Sequence, residues 1–411
     1  MREREIKKKT KVNSKKIFFG IFACILFFII FELFIKTILI LNNKPTVYKR
    51  GNIGENNYDF LTGYYNQTNR NEPVSKKLRY YQATDRYGFN LDGNRTFDKD
   101  LSEKDKCEFR IFIIGGSTTE GRALIDRFDP ISARLEAKLQ KDYKNILFKV
   151  YNAGSSSFFS QQELMLFQNR ILYSLKPDYA IIFNGLNDFA NPIGKSIYLS
   201  NSHRYQRIFQ EDFRKYSSNF FYYIDDFFSK NLSTYFVTKK TLEYLTKIYL
   251  FEKDREEFKE ILNNDYLHKK IDRYFFNISV FEKISENKIN IDIFFQPQML
   301  PYNIKNLSYN DQKIFENFKK NNPGYFEGKQ YFYNIASDKI KNYNTKKNNL
   351  FEIHDISKVL DFNKEGKDFY SDHAHYTHHS RSIIVEKMYF KIVDKVKKKI
   401  NEDFRSCNKI F

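Results

Sequence analysis

The strongest constraint on this chain is a recurring unit: a short apolar run closed at once by Gly or Asn. Phe109–Ile114 runs into Gly115-Gly116, Ile146–Tyr151 into Asn152-Ala153-Gly154, and Tyr179–Phe183 into Asn184-Gly185. Runs of this length without polar alternation predict strands buried on both faces. Between them, Pro130–Leu139 and Gln161–Leu175 carry apolar residues at helical spacing. Strand, helix and strand in alternation predict a parallel sheet with helices on both faces, a three-layer α/β/α fold. The pattern resumes late in the chain. Val280–Lys288 closes a helix, Ile289–Phe295 is a fourth strand, and Ser308–Lys320 and Gln330–Tyr343 are helical. Asn349–Ile353 is a fifth strand, and Ser380–Lys399 a final helix whose basic last turn suits the helix dipole. Residues 190–275 break the period and read as an insertion, a cap over the site with a small aromatic core of its own.

The amino-terminal end imposes a different constraint. Residues 1–16 form a basic segment, and Ile17–Leu41 is almost wholly apolar. A helix of that length crosses a hydrocarbon layer of roughly 30 Å. Glu32 and Lys36 interrupt it four residues apart, in the order that favours an ion pair. The positive-inside rule keeps residues 1–16 in the cytoplasm and puts the rest of the chain outside. A cleaved signal peptide is the competitor. However, no small-x-small site follows the run, and Ala23-Cys24 lies inside it. The expected organisation is a cytoplasmic segment 1–16, a signal anchor 17–41, a linker and domain entry 42–105, and a domain 106–402.

The net charge of +19 raises the question of a nucleic-acid partner. Residues 1–16 carry +6 and residues 391–411 carry +4, so more than half of the excess sits at the two ends. The remainder is dispersed, and no nucleic-acid-binding module is visible, so that class is set aside. Cys24, Cys107 and Cys407 are few and far apart, and suggest neither a disulfide framework nor a metal-ligand pattern.

In parallel sheets, ligands bind at the carboxyl ends of the strands, and four loops there carry reactive residue types. Gly115-Gly116-Ser117-Thr118-Thr119-Glu120-Gly121 permits a sharp turn and presents Ser117 at the start of the next element. No Gly-Lys-Ser/Thr follows, which excludes a Walker phosphate loop. A capping serine at an ordinary turn is the bland alternative. Asn152-Ala153-Gly154-Ser155 and Asn184-Gly185-Leu186-Asn187-Asp188 offer amide donors suited to a developing oxyanion. Asn and Gly also favour turns in their own right. The last loop, Tyr370-Ser371-Asp372-His373-Ala374-His375, places a carboxylate three residues before a histidine, able to hold Nδ1–H while Nε2 accepts a proton. A metal site is the other use of such histidines, but no further ligand group is apparent. His373, His378 and His379 read as a solvated surface run.

Together the four loops resemble the SGNH (GDSL-type) hydrolase superfamily in order and spacing, over roughly residues 107–400. The resemblance implies a flavodoxin-like sheet and a serine esterase needing no cofactor. Ser117 matches the nucleophile, and Asp372 and His375 the Asp-x-x-His pair. The Ser117 N–H, the Gly154 N–H and the Asn187 side chain match the oxyanion hole. Gly116, Gly185 and Asp188 match supporting positions, although Gly116 stands where the family usually has an acidic residue. The implied substrate is an acyl ester, such as an O-acetyl group on a cell-surface glycan or lipid. An O-acyltransferase with the same three residues, and a non-catalytic scaffold, are the alternatives.

Overall fold

The computed structural model describes residues 14–42, 84–93, 100–121, 126–190, 265–286, 288–346, 351–361 and 366–407, with short pieces at 56–57, 65–66 and between 227 and 242. These fall into two compact units, one drawn from 1–53 and 210–254, the other from 54–209 and 255–411.

The second unit is built on a five-stranded, wholly parallel sheet: β1 (Glu108–Gly115), β2 (Leu147–Gly154), β3 (Tyr179–Asn184), β4 (Asn290–Phe295) and β5 (Ile353–Asp355), in spatial order β2-β1-β3-β4-β5. The order reverses beside β1, opening a crevice at the carboxyl ends of the strands. Alternation along each strand divides the core. Phe112, Ile114, Ala180, Ile182, Ile293 and Phe295 pack on one face against helices that include α6 (Asp265–Ser285) and α8 (Tyr325–Asn344). Ile111, Ile113, Ile181, Phe183 and Phe294 pack on the other. There they meet α3 (Ile131–Asp142), α7 (Tyr309–Asn321) and α9 (His378–Asp403). Ile384, Met388, Ile392, Val396 and Ile400 make the buried stripe of α9. Each contributes roughly 1.5–3 kcal/mol relative to exposure.

Three short or interrupted helices complete the unit. α2 (Ser117–Glu120) follows β1, α4 (Ser160–Leu166) continues as a π-helical stretch to Leu172, and α5 (Leu186–Ala190) follows β3. α1 (Ser14–Leu41) belongs to the other unit. It is long and apolar enough to cross a bilayer, and its span Phe18–Leu41 is not buried in the protein.

Several expectations change. Cys107 and Cys407, expected to form no disulfide framework, are bonded across 300 residues, because β1 begins where the chain leaves α9. α9 runs past Lys399 to Asp403, so its last turn is not basic; Lys399 instead pairs with Asp403 at 2.7 Å. The expected insertion also ends early. α6 starts at Asp265, and its buried Ile271 and Tyr274 belong to the main core. Residues 191–226 and 243–264 of that stretch lie outside the described residues. The fifth strand occupies 353–355 rather than 349–353. Glu32 does not pair with Lys36: its carboxylate accepts the backbone N–H groups of Ser233 and Thr234.

The entry segment Thr84–Gly93 is part of the domain. Asn90 bridges to Asn152 on β2, and its Nδ2 donates to the Gly154 carbonyl at 2.9 Å. Arg110, fully buried, pairs with Glu108 at 2.7 Å and donates to the Leu175 carbonyl at 2.8 Å. It also reaches the carbonyls of Leu101 and Glu103, which fastens residues 101–103 to the sheet.

Candidate active site

The carboxyl ends of β1, β2 and β3 bring three of the four loops together. Gly116 leaves β1 in an extended conformation and Ser117 opens α2. The fourth loop arrives from far along the chain and is pinned at both ends. Asp311 on α7 accepts the N–H groups of Phe369 (2.9 Å) and Tyr370 (3.0 Å). Arg381 on α9 donates to the Tyr376 carbonyl and to Asp129. Thr377 caps α9 and its hydroxyl donates to the Asp368 carbonyl at 2.6 Å. The bridge between Tyr370 and Tyr376 closes the loop.

His375 emerges from that clamp. Its Nε2 lies 2.8 Å from Ser117 Oγ, and its Nδ1 lies 2.7 Å from Asp372 Oδ2. The other oxygen of Asp372 accepts the N–H groups of Ala374 (2.8 Å) and His375 (2.9 Å). Burial raises the Asp372 pKa, but the His375 ring and these two amides outweigh it and hold the carboxyl well below its usual range. Asp372 therefore stays ionised and fixes the ring with Nε2 toward the serine. Ser117 itself is 8% exposed, reachable from the crevice but largely dry.

Asn187 on α5 donates from Nδ2 to the Phe158 carbonyl at 2.8 Å. The same amide lies beside Gly116, where an added Cβ would stand 2.2 Å from Nδ2. This explains the departure at Gly116: the space of a side chain there is filled by Asn187. Gly185 is constrained twice, by φ of 119° and by the Phe295 ring, 2.5 Å from where a Cβ would stand.

Gly154 has a packing role as well. Its N–H donates to Asn152 Oδ1 at 3.0 Å. A Cβ there would meet the Glu120 backbone nitrogen at 2.3 Å. The glycine thus serves the close approach of α2 to β2. Three residues on, Ser157 adopts φ of 65°, a left-handed conformation uncommon for serine. Such departures cluster at functional sites.

Asp188 points behind the site, where it accepts from the Ser160 N–H at 3.2 Å and from the Ser160 hydroxyl. Burial pushes its carboxyl up to about 6, against the pull of these bonds and of the Lys270 charge. Burial lowers the Lys270 ammonium to about 7, and its Nζ donates to the Phe189 carbonyl at 2.9 Å. Glu163 is raised well above its ordinary value by burial and by the nearby Asp188 charge. It accepts Asn184 Nδ2 at 2.7 Å. This buried network braces the β3–α5 turn. Neither Lys270 nor Glu163 has a motif around it that sequence reasoning could use.

The neighbouring histidines are not a solvated run. His373 stacks on Phe318 with ring centroids 3.8 Å apart, and burial lowers it to about 4 despite the Asp372 charge. His379 stacks on Phe369. His378 is exposed but lies 2.8 Å from Asp129. Nearby, Lys329 is completely buried. Its Nζ lies 3.3 Å from Gln298 Oε1 and 4.9 Å from the centre of the Phe326 ring. Burial lowers it to about 7, against the Asp372 charge.

No family model matches this sequence. Nor does any curated protein. Solved structures do match. Axe2, an acetylxylan esterase from Geobacillus stearothermophilus, shares 13% identity over 70% of this chain and 96% of its own, with a TM-score of 0.36. LAE5, an α/β hydrolase enzyme from the metagenome of Lake Arreo, shares 12% over 68% of this chain and 93% of its own, with a TM-score of 0.35. Identities this low say nothing about substrate, and the chemistry rests on the side chains described above.

Proposed function

We propose that this chain is a membrane-anchored serine esterase of SGNH type whose domain works outside the cytoplasm on an acyl ester. The observation that carries the reading is the hydrogen-bonded line from Ser117 Oγ through His375 to Asp372, with contacts of 2.8 and 2.7 Å. A serine hydroxyl becomes a useful nucleophile only when a base within reach takes its proton. Ser117 Oγ attacks the acyl carbonyl as His375 Nε2 accepts that proton, and the imidazolium returns it to the leaving alkoxide. Water, deprotonated by the same Nε2, then releases the acid from Ser117.

The negative charge on the tetrahedral oxygen needs donors already in place. The Ser117 N–H and the second N–H of the Asn187 amide are two. The third is the Gly154 N–H that the resemblance implies, which would turn from Asn152 Oδ1 to the oxyanion. Support comes from the Phe158 carbonyl, which holds the Asn187 amide beside Gly116. The extracytoplasmic placement is supported by the Cys107–Cys407 bond, since such bonds persist in oxidising compartments.

The decisive test is Ser117→Ala. It is expected to abolish turnover of p-nitrophenyl acetate and labelling by a fluorophosphonate, with the thermal melt unchanged. Retained turnover in a folded variant would remove the proposal.

A further inference from the structure

The anchor helix carries a carboxylate deep within its apolar span. Glu32 stands 14 residues after Phe18 in the run Phe18–Leu41. At 1.5 Å per residue it is about 21 Å from the inner end of that run and about 13 Å from the outer end. With Phe18 at the inner edge of a hydrocarbon layer of about 30 Å, Glu32 lies about 9 Å below the outer edge. Excluding Glu32 from the layer leaves only Phe18–Phe31, about 21 Å, which is too short to cross it.

A carboxyl at that depth is costly unless the protein supplies partners. They come from 201 and 202 residues further along the chain. The N–H groups of Ser233 and Thr234 both donate to Glu32, the latter at 2.9 Å, and the Thr234 hydroxyl donates at 2.6 Å. The helix is covered on the same side. Between Phe18 and Asn42 only Glu32, Ile35 and Leu39 are half-buried, and their spacing puts them on one face.

The covering piece is itself suited to lipid, where polar groups must be satisfied within the protein. The hydroxyls of Thr238 and Thr241 donate to the carbonyls four residues earlier, each at 2.9 Å, and Asn231 Nδ2 donates to the Phe227 carbonyl at 2.7 Å. Phe227 and Leu242 are exposed.

We infer that the described residues between Phe227 and Leu242 are inserted into the outer leaflet of the bilayer, docked on the anchor through Glu32, with lipid acyl chains as their outer partner. The inference rests on reading α1 as a membrane span, and it is independent of the esterase chemistry.

The chain has no Trp, so a single introduced Trp reports alone. Full-length Phe228→Trp and Phe34→Trp variants are placed in phosphatidylcholine vesicles with and without acyl-chain bromination. Brominated chains are expected to quench both probes severalfold. Adding Glu32→Ala is expected to release the probe at 228 while leaving the probe at 34 quenched. A probe at 228 that stays unquenched while the probe at 34 is quenched overturns the insertion. Equal quenching at 228 with and without Glu32 overturns the docking. If the probe at 34 is itself unquenched, the span reading fails and the inference falls with it.

Discussion

Gly116→Ala tests how tightly the site is packed around its proposed oxyanion donor. The backbone at Gly116, φ −86° and ψ −155°, tolerates alanine, so the effect comes from the methyl group alone. Its nearest neighbours would be Asn187 Nδ2 at 2.2 Å, the Phe158 carbonyl at 3.2 Å and Asn187 Cγ at 3.4 Å. Non-bonded contacts settle near 3.5 Å, so the amide must retreat by about 1.3 Å. Retreat also strains its 2.8 Å bond to Phe158. Loss of one oxyanion donor costs about 10²–10³ in rate, or about 2.7–4 kcal/mol. The expected result is a fall of that size in kcat on p-nitrophenyl acetate, with KM and the thermal melt nearly unchanged. A double-mutant cycle sharpens the test. In an Asn187→Ala background the methyl group meets no amide, so Gly116→Ala should cost little more. Full kcat in the single variant, or losses that multiply in the double, would refute the reasoning.

Further outcomes follow from other parts of the structure. Asp372→Asn should lower kcat by up to about 10⁴-fold, because the ring loses the carboxylate that orients it; a small loss would show that the loop amides suffice. Replacing Cys107 and Cys407 by Ser should cost about 2–5 kcal/mol in urea unfolding with little change in kcat, and an unchanged midpoint would mean that the bond adds no stability. Lys329 is held below its ordinary range, so between about pH 7 and 10 the unfolded chain binds the extra proton and stability rises with pH. Lys329→Met should flatten that rise, by a few kcal/mol at most, and an identical pH profile in the two proteins would exclude the effect.

Much of this arrangement is legible in the chain because strands buried on both faces announce themselves. Ile111–Ile114, Val150–Ala153 and Tyr179–Phe183 admit few polar residues, and the loops at their ends must turn sharply. The Asp372–His375 spacing is equally local, since three residues suffice to bring a carboxylate to its own histidine. What escapes is what depends on distant partners. Thr84–Gly93 has no periodicity to detect; side chains such as Asp85 and Asn90 hold it. Glu32 invited pairing with Lys36 four residues away, but two backbone amides beyond residue 230 take its carboxylate instead. Cys107 and Cys407 meet only because the first strand begins beside the end of the last helix.

That meeting also sets an order of events in biosynthesis. With the two Cα atoms 5.9 Å apart, nearly the whole domain is enclosed between the paired cysteines. Cys407 is made 300 residues after Cys107, so the ring cannot close until the strands, the serine turn and the histidine loop have all emerged. Oxidation therefore marks completion: a chain interrupted anywhere before Cys407 keeps a reduced Cys107, one interrupted before Asp372 also lacks the Asp372–His375 pair, and the thiol distinguishes both from a finished molecule.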